Sequence, residues 1–285
     1  MSTATIAALD VYPVKSCRGL ALSRARVRTR GLALEAGSEE VGDREWMIVD
    51  ADGRFVTQRE LPRLALIEVD VERDALRLSA DGRPPLQVPL GAPAAATRDV
   101  VVWSSTVRAH DAGDAAAAWL AAVLGVGVRL VRFDAAQERL CNPDYAGDSG
   151  AHTAFADGYP LLVVGAASLA DLNARLAAQG EPALPMNRFR PNLVLAGLDA
   201  YDEDHLDTIE TDGVVLRVVK PCTRCVTTTT DQATAVRGVE PLRTLGAYRR
   251  HATLGGVAFG MNAIVVAGAG RELAVGAGAR CEFRF

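Results

Sequence analysis

The chain has 285 residues, of which 49% are hydrophobic and 23% charged, and its formal net charge is -4 at pH 7. That length suffices for one large domain or two modest ones with a real core, and the mildly acidic balance excludes the basic footprint of a nucleic-acid or anionic-membrane binder. The N-terminal MSTATIAALD has neither a basic n-region nor an apolar h-region, and AAAAWLAAVLGVGV falls short of the roughly 18 residues a spanning helix needs. A cytoplasmic protein that does not enter membranes is therefore expected. Five cysteines (Cys17, Cys141, Cys222, Cys225, Cys281) form an odd, sparse set that argues against a disulfide framework. Only two of the 31 basic residues are lysines, Lys15 and Lys220, and each stands two residues before a cysteine. Either an arginine-rich chain has drifted from lysine, or these positions want a compact ammonium instead of a planar guanidinium.

Taken in order, the elements are mostly strands. SRARVRTR alternates as a half-buried strand does. REWMIVDADGRFVTQRE predicts two strands about a turn at Asp52-Gly53, and ALIEVDVERDALRLS a hairpin turning near Arg73-Asp74. DVVVWSSTVRAHD and GVGVRLVRF add further strands, and ETDGVVLRVVK turns at Asp212-Gly213. Two helices are well punctuated. DAAAAWLAAVLG has Asp114 as N-cap and Gly125 as its stop. SLADLNARLAAQG opens on Ser168 with Asp171 three residues on, carries a Leu169/Leu172/Leu176 stripe and ends at Gly180. Between them, residues 134–158 lack periodicity, and loops of that length are usually functional or mobile.

The chemistry-bearing segments begin with KPCTRCVTTTT, residues 220–230. A zinc site needs four ligands, and here there is one C-x-x-C with four scattered histidines. A thioredoxin-like dithiol needs a helix N-terminus, whereas the β-branched CVTTTT favours an extended chain. A single thiolate at Cys225, flanked by Arg224, Thr227 and Thr228, fits better, and the plain alternative is an inert buried cysteine beside a structural arginine. VYPVKSCRG places Lys15, Ser16 and Arg18 at a strand end anchored by Val11 and Val14, or else is a solvated exit. In GDREWMIVD, Arg44 either joins a basic cluster or pairs with Asp43. FADGYP offers the Asp157 carboxylate and a glycine, Gly158, that permits close backbone approach, or is an ordinary turn. In NRFRPNLVLAG an extended chain would point Arg188, Arg190 and Asn192 one way.

In their order along the chain, VYPVKSCRG, GDREWMIVD, FADGYPLL, RFRPNLVLAG, KPCTRCVTTTTD and EPLRTLGAYRR with FGMNAIVV resemble the MOSC family of molybdenum-cofactor proteins, including its N-terminal β-barrel region. The likeness is to the mitochondrial amidoxime-reducing components and the bacterial YcbX proteins, and it spans essentially the whole chain. It implies a mixed α/β, strand-rich fold: a β-barrel-like MOSC core over about residues 131–285, an N-terminal β-barrel region over about 1–130, and a few peripheral helices, packed as one compact unit. It further implies molybdenum held by a pyranopterin dithiolene (molybdopterin) and one protein cysteine, which corresponds to Cys225 as metal ligand and catalytic residue. Lys15, Ser16, Arg44, Arg190, Asn192, Thr223 and Arg224 correspond to the polar shell of that cofactor, and Asp157, Gly158 and Tyr159 to a stretch that contacts the pterin. Some relatives carry small hydroxyl residues at the last two of these positions. Cys222 has no assigned role.

The activity implied is two-electron reduction of N-hydroxylated compounds such as amidoximes and hydroxylamines. Some YcbX-type relatives carry an iron–sulfur domain, but no run of four cysteines occurs here, so no iron–sulfur cluster is expected in this chain. Electrons are then expected from a separate ferredoxin-, flavin- or cytochrome-type protein. The alternative is a carrier that uses Cys225 to transfer a persulfide sulfur or the cofactor itself.

Overall fold

The computed structural model describes residues 2–91 and 96–284. Seven strands close into a barrel in the order Leu161–Gly165, Leu193–Ala196, Ser2–Val11, Gly278–Phe283, Leu206–Thr211, Val214–Arg224 and Gly256–Ala267, the last pairing back to Leu161–Gly165. Its interior is apolar, with Ile6, Leu9, Val163, Leu195, Ile209 and Leu216 all buried. The first strand of the chain is thus a stave of the barrel otherwise built from residues 161–283. It buries Ala4 and Ile6 and then Leu9 and Val11, a switch of parity that follows from the register shift between Ile6 and Ala8. Since the side-chain period of a strand is two, one extra residue turns the following side chains to the other face.

Three smaller sheets make the N-terminal part. Ala96–Val102, Ser105–Asp111, Arg129–Phe133 and Trp46–Val49 form one; Glu68–Glu72, Ala75–Ser79 and Leu86–Pro89 form another. In the third, Arg24–Arg28, Gly31–Ala36 and Glu39–Gly42 recruit Glu272–Ala274 from the far end of the chain. A second core, including Trp46, Ile48, Leu76, Leu78 and Leu120, lies among them. The expected hairpins form, with turns at Arg73-Asp74 and at Asp212-Gly213, where both residues have positive φ as a type I′ turn requires. The second strand expected after Asp52-Gly53 does not form. Phe55 makes one bridge to Val49, and the Glu60 carboxylate then closes a turn by accepting the Thr57 N–H at 3.0 Å and its hydroxyl at 2.7 Å.

Four α-helices lie among the described residues: α1 (Asp114–Leu124), α2 (Pro143–Ala146), α3 (Ala166–Ala177) and α4 (Leu242–Tyr248). Gly125 ends α1 in the left-handed conformation, as expected, but the N-cap is Gly113 and not Asp114, which instead pairs with Arg129 at 2.9 Å. Helix α3 starts two residues before Ser168. Its cap comes from elsewhere in the chain: Glu203 Oε1 accepts the Gly165 N–H at 3.0 Å and Oε2 the Ser168 hydroxyl at 2.6 Å. A Cβ on Gly165 would stand 2.6 Å from that carboxylate, so close approach requires glycine there. No helix among the described residues is long and apolar enough to cross a membrane.

Candidate functional site

The strand Val214–Arg224 loses register against Gly256–Ala267 three times, at Val215/Leu216, Val218/Lys220 and Pro221/Thr223. Proline has no N–H for the ladder, and bulges re-aim side chains. As a result the consecutive residues Cys222, Thr223, Arg224 and Cys225 all line one cleft. Beyond Cys225 the threonine run is not extended: Val226–Thr229 makes a single 3-10 turn with Cys225 as its N-cap. Burial would raise the Cys225 thiol, but the Thr227 hydroxyl and amide and the Arg59 guanidinium outweigh it and hold the thiol below its ordinary range. Burial pushes the other way at Cys17 (about 12), Cys141 and Cys281 (both about 11), which lie in the core. No group of three or more histidine, cysteine, aspartate or glutamate side chains able to hold a metal occurs among the described residues.

The eleven residues that the resemblance assigns to the cofactor site all line this cleft: Lys15, Ser16, Arg44, Asp157, Gly158, Tyr159, Arg190, Asn192, Thr223, Arg224 and Cys225. The anchors Val11 and Val14 are fully buried and carry the chain from the barrel into a turn at Lys15 and Ser16. Ser16, Arg44 and Arg190 have φ of 69°, 46° and 55°. Three non-glycine residues held in the left-handed region around one cleft store strain that the surrounding contacts must hold in place. Arg44 and Arg190 bracket the buried Tyr12, each 4.2 Å from its ring centroid.

Asn192 explains how they are held. Its side-chain oxygen accepts from Arg44 Nη1 and the Leu162 N–H, both at 3.1 Å, and its amide donates to the Asp10 carbonyl at 3.1 Å and Asp43 Oδ1 at 2.9 Å. Asn192 is thereby saturated, and its effect is to orient Arg44. Asp43 Oδ2 accepts the same Nη1 at 2.5 Å, so Arg44 both joins the basic cluster and pairs with Asp43. Arg190 spends Nη1 on the Cys17 carbonyl at 2.7 Å and Arg224 spends Nη2 on the Phe189 carbonyl at 2.7 Å, while among the described residues the buried Arg190 Nη2 and Arg224 Nε have no partner. Burial, with Arg44 nearby, pushes Arg190 down to about 10. Among the described residues the Tyr159 hydroxyl is also buried without a partner, and a Cβ at Gly158 would meet no atom within 4 Å.

Two expectations need correction. Residues 186–188 form a 3-10 turn and Arg190 is left-handed, so Arg188, Arg190 and Asn192 do not share the face of a strand; Arg188 is absent from the cleft and pairs with Asp231 at 2.9 Å. Of the two lysines, Lys15 enters the cleft, but Lys220 lies outside it against the Tyr145 ring at 4.6 Å. Three residues that sequence reasoning missed also shape the site. Arg59 lines the cleft and stacks on Trp103 at 4.5 Å. Trp103 Nε1 donates to Asp157 Oδ1 at 3.2 Å. Buried Arg139 donates to the carbonyls of Ala154 (3.1 Å), Ala156 (2.6 Å) and Asp157 (2.9 Å), fixing the turn that presents Asp157 and Gly158. Only the lack of periodicity over 134–158 pointed toward Arg139.

The cleft therefore gathers five cations (Lys15, Arg44, Arg59, Arg190, Arg224) and one carboxylate, Asp157, in a chain whose net charge is negative. Such a set suits a ligand that is anionic and hydrogen-bond-rich, with a soft thiolate at one side. Comparison with known proteins agrees with the fold. Residues 3–127 match the MOSC N-terminal beta barrel domain and residues 150–280 the MOSC domain. The chain is 37% identical over 252 residues to mitochondrial amidoxime-reducing component 1 of Homo sapiens, a match covering 86% of this chain and 72% of the relative. It is 34% identical to mitochondrial amidoxime reducing component 2 of Rattus norvegicus over the same shares of each chain. With barrel, cleft and cysteine in place, the chain belongs to the MOSC-domain family that includes the amidoxime-reducing components.

Proposed function

We propose that the cleft holds a molybdenum cofactor, with Cys225 as the metal's protein ligand, and that the protein reduces N-hydroxylated compounds with electrons from a separate donor protein. The observation that carries this reading is the meeting, in one cleft, of a depressed thiol with buried guanidinium donors that have no partner among the described residues. The residues fit such a group. Arg190, Arg224 and Lys15 offer charge to a phosphate, arginine as a planar fork and lysine as a compact ammonium. Thr223 and Ser16 add polar groups, the open face of Gly158 leaves room for a ring, and Asp157 can accept from a heterocycle N–H. When bound, the cofactor supplies a two-electron redox centre able to accept an oxygen atom. This chain's residues bind and orient: Thr227 and Arg59 hold the Cys225 thiol below its ordinary range, and Asn192 and Asp43 hold Arg44 in place. For an amidoxime the balance is R–C(NH2)=N–OH plus two electrons and two protons, giving the amidine R–C(NH2)=NH and water. The electrons come from a ferredoxin-, flavin- or cytochrome-type protein.

Metal analysis of protein made in a cofactor-competent host tests this. Near-stoichiometric molybdenum is expected, lost in Cys225→Ser and mostly kept in Cys222→Ser; equal loss in both variants would instead indicate a two-thiol site. Benzamidoxime reduction with an artificial donor then separates a reductase from a carrier of sulfur or cofactor, which would hold its cargo without turnover.

A further inference from the structure

The turn at Thr57–Glu60 belongs to the N-terminal part of the chain, yet it delivers Arg59 to the cleft of Cys225. Its backbone is clamped on both sides. Gln58 is fully buried and exchanges amide bonds with Gln232, Nε2 to Oε1 at 3.0 Å in one direction and 2.9 Å in the other. Gln58 also donates to the Ser16 carbonyl at 2.7 Å, and Gln232 to that of Thr230 at 3.0 Å. Arg237 Nη2 donates to the carbonyls of Gln58 at 2.5 Å and Arg59 at 3.1 Å. A buried amide pair joining two parts of a chain is costly to leave half satisfied, so it fixes where the turn sits. The guanidinium it holds has no carboxylate within ion-pairing distance among the described residues. It lies 4.5 Å from the indole centroid of Trp103, which is 42% exposed, and Phe55 packs against that indole with ring centroids 5.0 Å apart. Trp103 sits at a hairpin tip with φ of 56°, a strained position for a large side chain, and is held there by its bond to Asp157.

A cation beside the Cys225 thiol, with no carboxylate partner among the described residues and backed by two aromatic rings, has the makings of a substrate clamp. Resting on the reductase reading above, we propose that Arg59 anchors the oxygen-bearing end of the substrate and that Trp103 with Phe55 forms its aromatic wall. The site thus favours planar aryl N-hydroxylated compounds over small aliphatic ones. Gln58 and Gln232 are the positioning residues of that clamp. Arginine suits the task because its planar fork donates in-plane while its face stacks on an indole.

The test measures the Kd of benzamidoxime and of acetamidoxime by calorimetry on molybdenum-loaded protein without reductant, alongside KM, kcat and molybdenum content. At matched molybdenum content, Arg59→Gln should raise the Kd and KM for benzamidoxime about ten-fold or more, as loss of a charge-assisted hydrogen bond does, with Arg59→Lys recovering only part. Trp103→Ala should weaken benzamidoxime about three- to ten-fold and leave acetamidoxime unaltered. Gln58→Met and Gln232→Met should each weaken benzamidoxime, and the double variant should be no worse than either alone. Unchanged Kd in Arg59→Gln at matched molybdenum content overturns the anchoring role. Equal weakening of both amidoximes by Trp103→Ala overturns the aromatic wall, and additive losses in the glutamine variants overturn the clamp. Wild-type protein that reduces benzamidoxime while all variants bind it normally refutes the clamp alone. Wild-type protein that binds it through Arg59 without turning it over refutes the reductase reading alone.

Discussion

Lys15 Nζ meets Asp157 Oδ1 at 2.5 Å although 142 residues separate them in the chain. The lysine side chain is 7% exposed and the aspartate 69%. Burial pulls the ammonium below its ordinary range despite the carboxylate, while Lys15 overrides the effect of burial at Asp157 and holds its carboxyl well below the usual range. Because most of Asp157 faces the open cleft, solvent screens the pair, and it is worth far less than a fully buried one. Lys15 also keeps its bond to the Phe155 carbonyl at 2.8 Å. Asp157→Asn is therefore expected to lower stability by only about 1 kcal/mol in urea unfolding. A loss of several kcal/mol would show that the pair behaves as a buried one.

Arg139 carries more of the local structure. Replacing it with methionine removes three charge-assisted bonds to the carbonyls of Ala154, Ala156 and Asp157 and leaves those acceptors without their donor. A loss of about 2–4 kcal/mol is expected, with weaker cofactor retention because the turn bearing Asp157 and Gly158 is freed. Full stability and full metal content in Arg139→Met would refute this.

The Glu203 cap of α3 gives a contrasting case far from the chemistry. Glu203→Ala leaves the Gly165 amide and the Ser168 hydroxyl without their acceptor in a site closed to water, at a cost of about 2–3 kcal/mol. Glu203→Gln, which keeps one acceptor, should cost less. Molybdenum content should be the same in both, and a selective loss of metal would contradict the assignment.

Asp10 makes stability depend on pH. Burial raises its carboxyl from 3.8 to about 6, against the opposing pull of Arg44 and Arg190. Between those values the folded state binds more protons than the unfolded, so this residue's contribution is full below pH 4 and is lost as pH rises through about 6. At about 1.4 kcal/mol per pH unit the loss is at most about 3 kcal/mol. Asp10→Asn should remove that slope and gain on wild type between pH 4 and 7, as read from denaturant midpoints. Parallel curves for the two proteins would count against it.

Much of this was legible locally. The turns at Arg73-Asp74 and Asp212-Gly213 and the stop at Gly125 are decided by residues within four positions of one another, where Gly and Asp have distinct backbone preferences. The helix starts were not, because the acceptor for Gly165 and Ser168 is Glu203, 35 residues beyond Ser168. Nor was the path of CVTTTT or NRFRP: β-branched content argued for extension of the first and the alternation of Arg188, Arg190 and Asn192 for that of the second, but Val226–Thr229 and Met186–Arg188 are 3-10 turns. Propensity is a weak prior when tertiary contacts outvote it.

What the sequence by itself determined was the inventory: which short segments carry thiol, guanidinium and glycine, and that they resemble a family with a β-barrel core. Tertiary structure alone decided that Thr227 and Arg59 hold the Cys225 thiol low, that Arg188 leaves the cleft while Arg59 enters it, and that Trp103 reaches Asp157. The reason is that charge, burial and stacking act over a few ångströms of space, and the residues that set them here lie 142 positions apart in the case of Lys15 and Asp157 and 174 in that of Gln58 and Gln232.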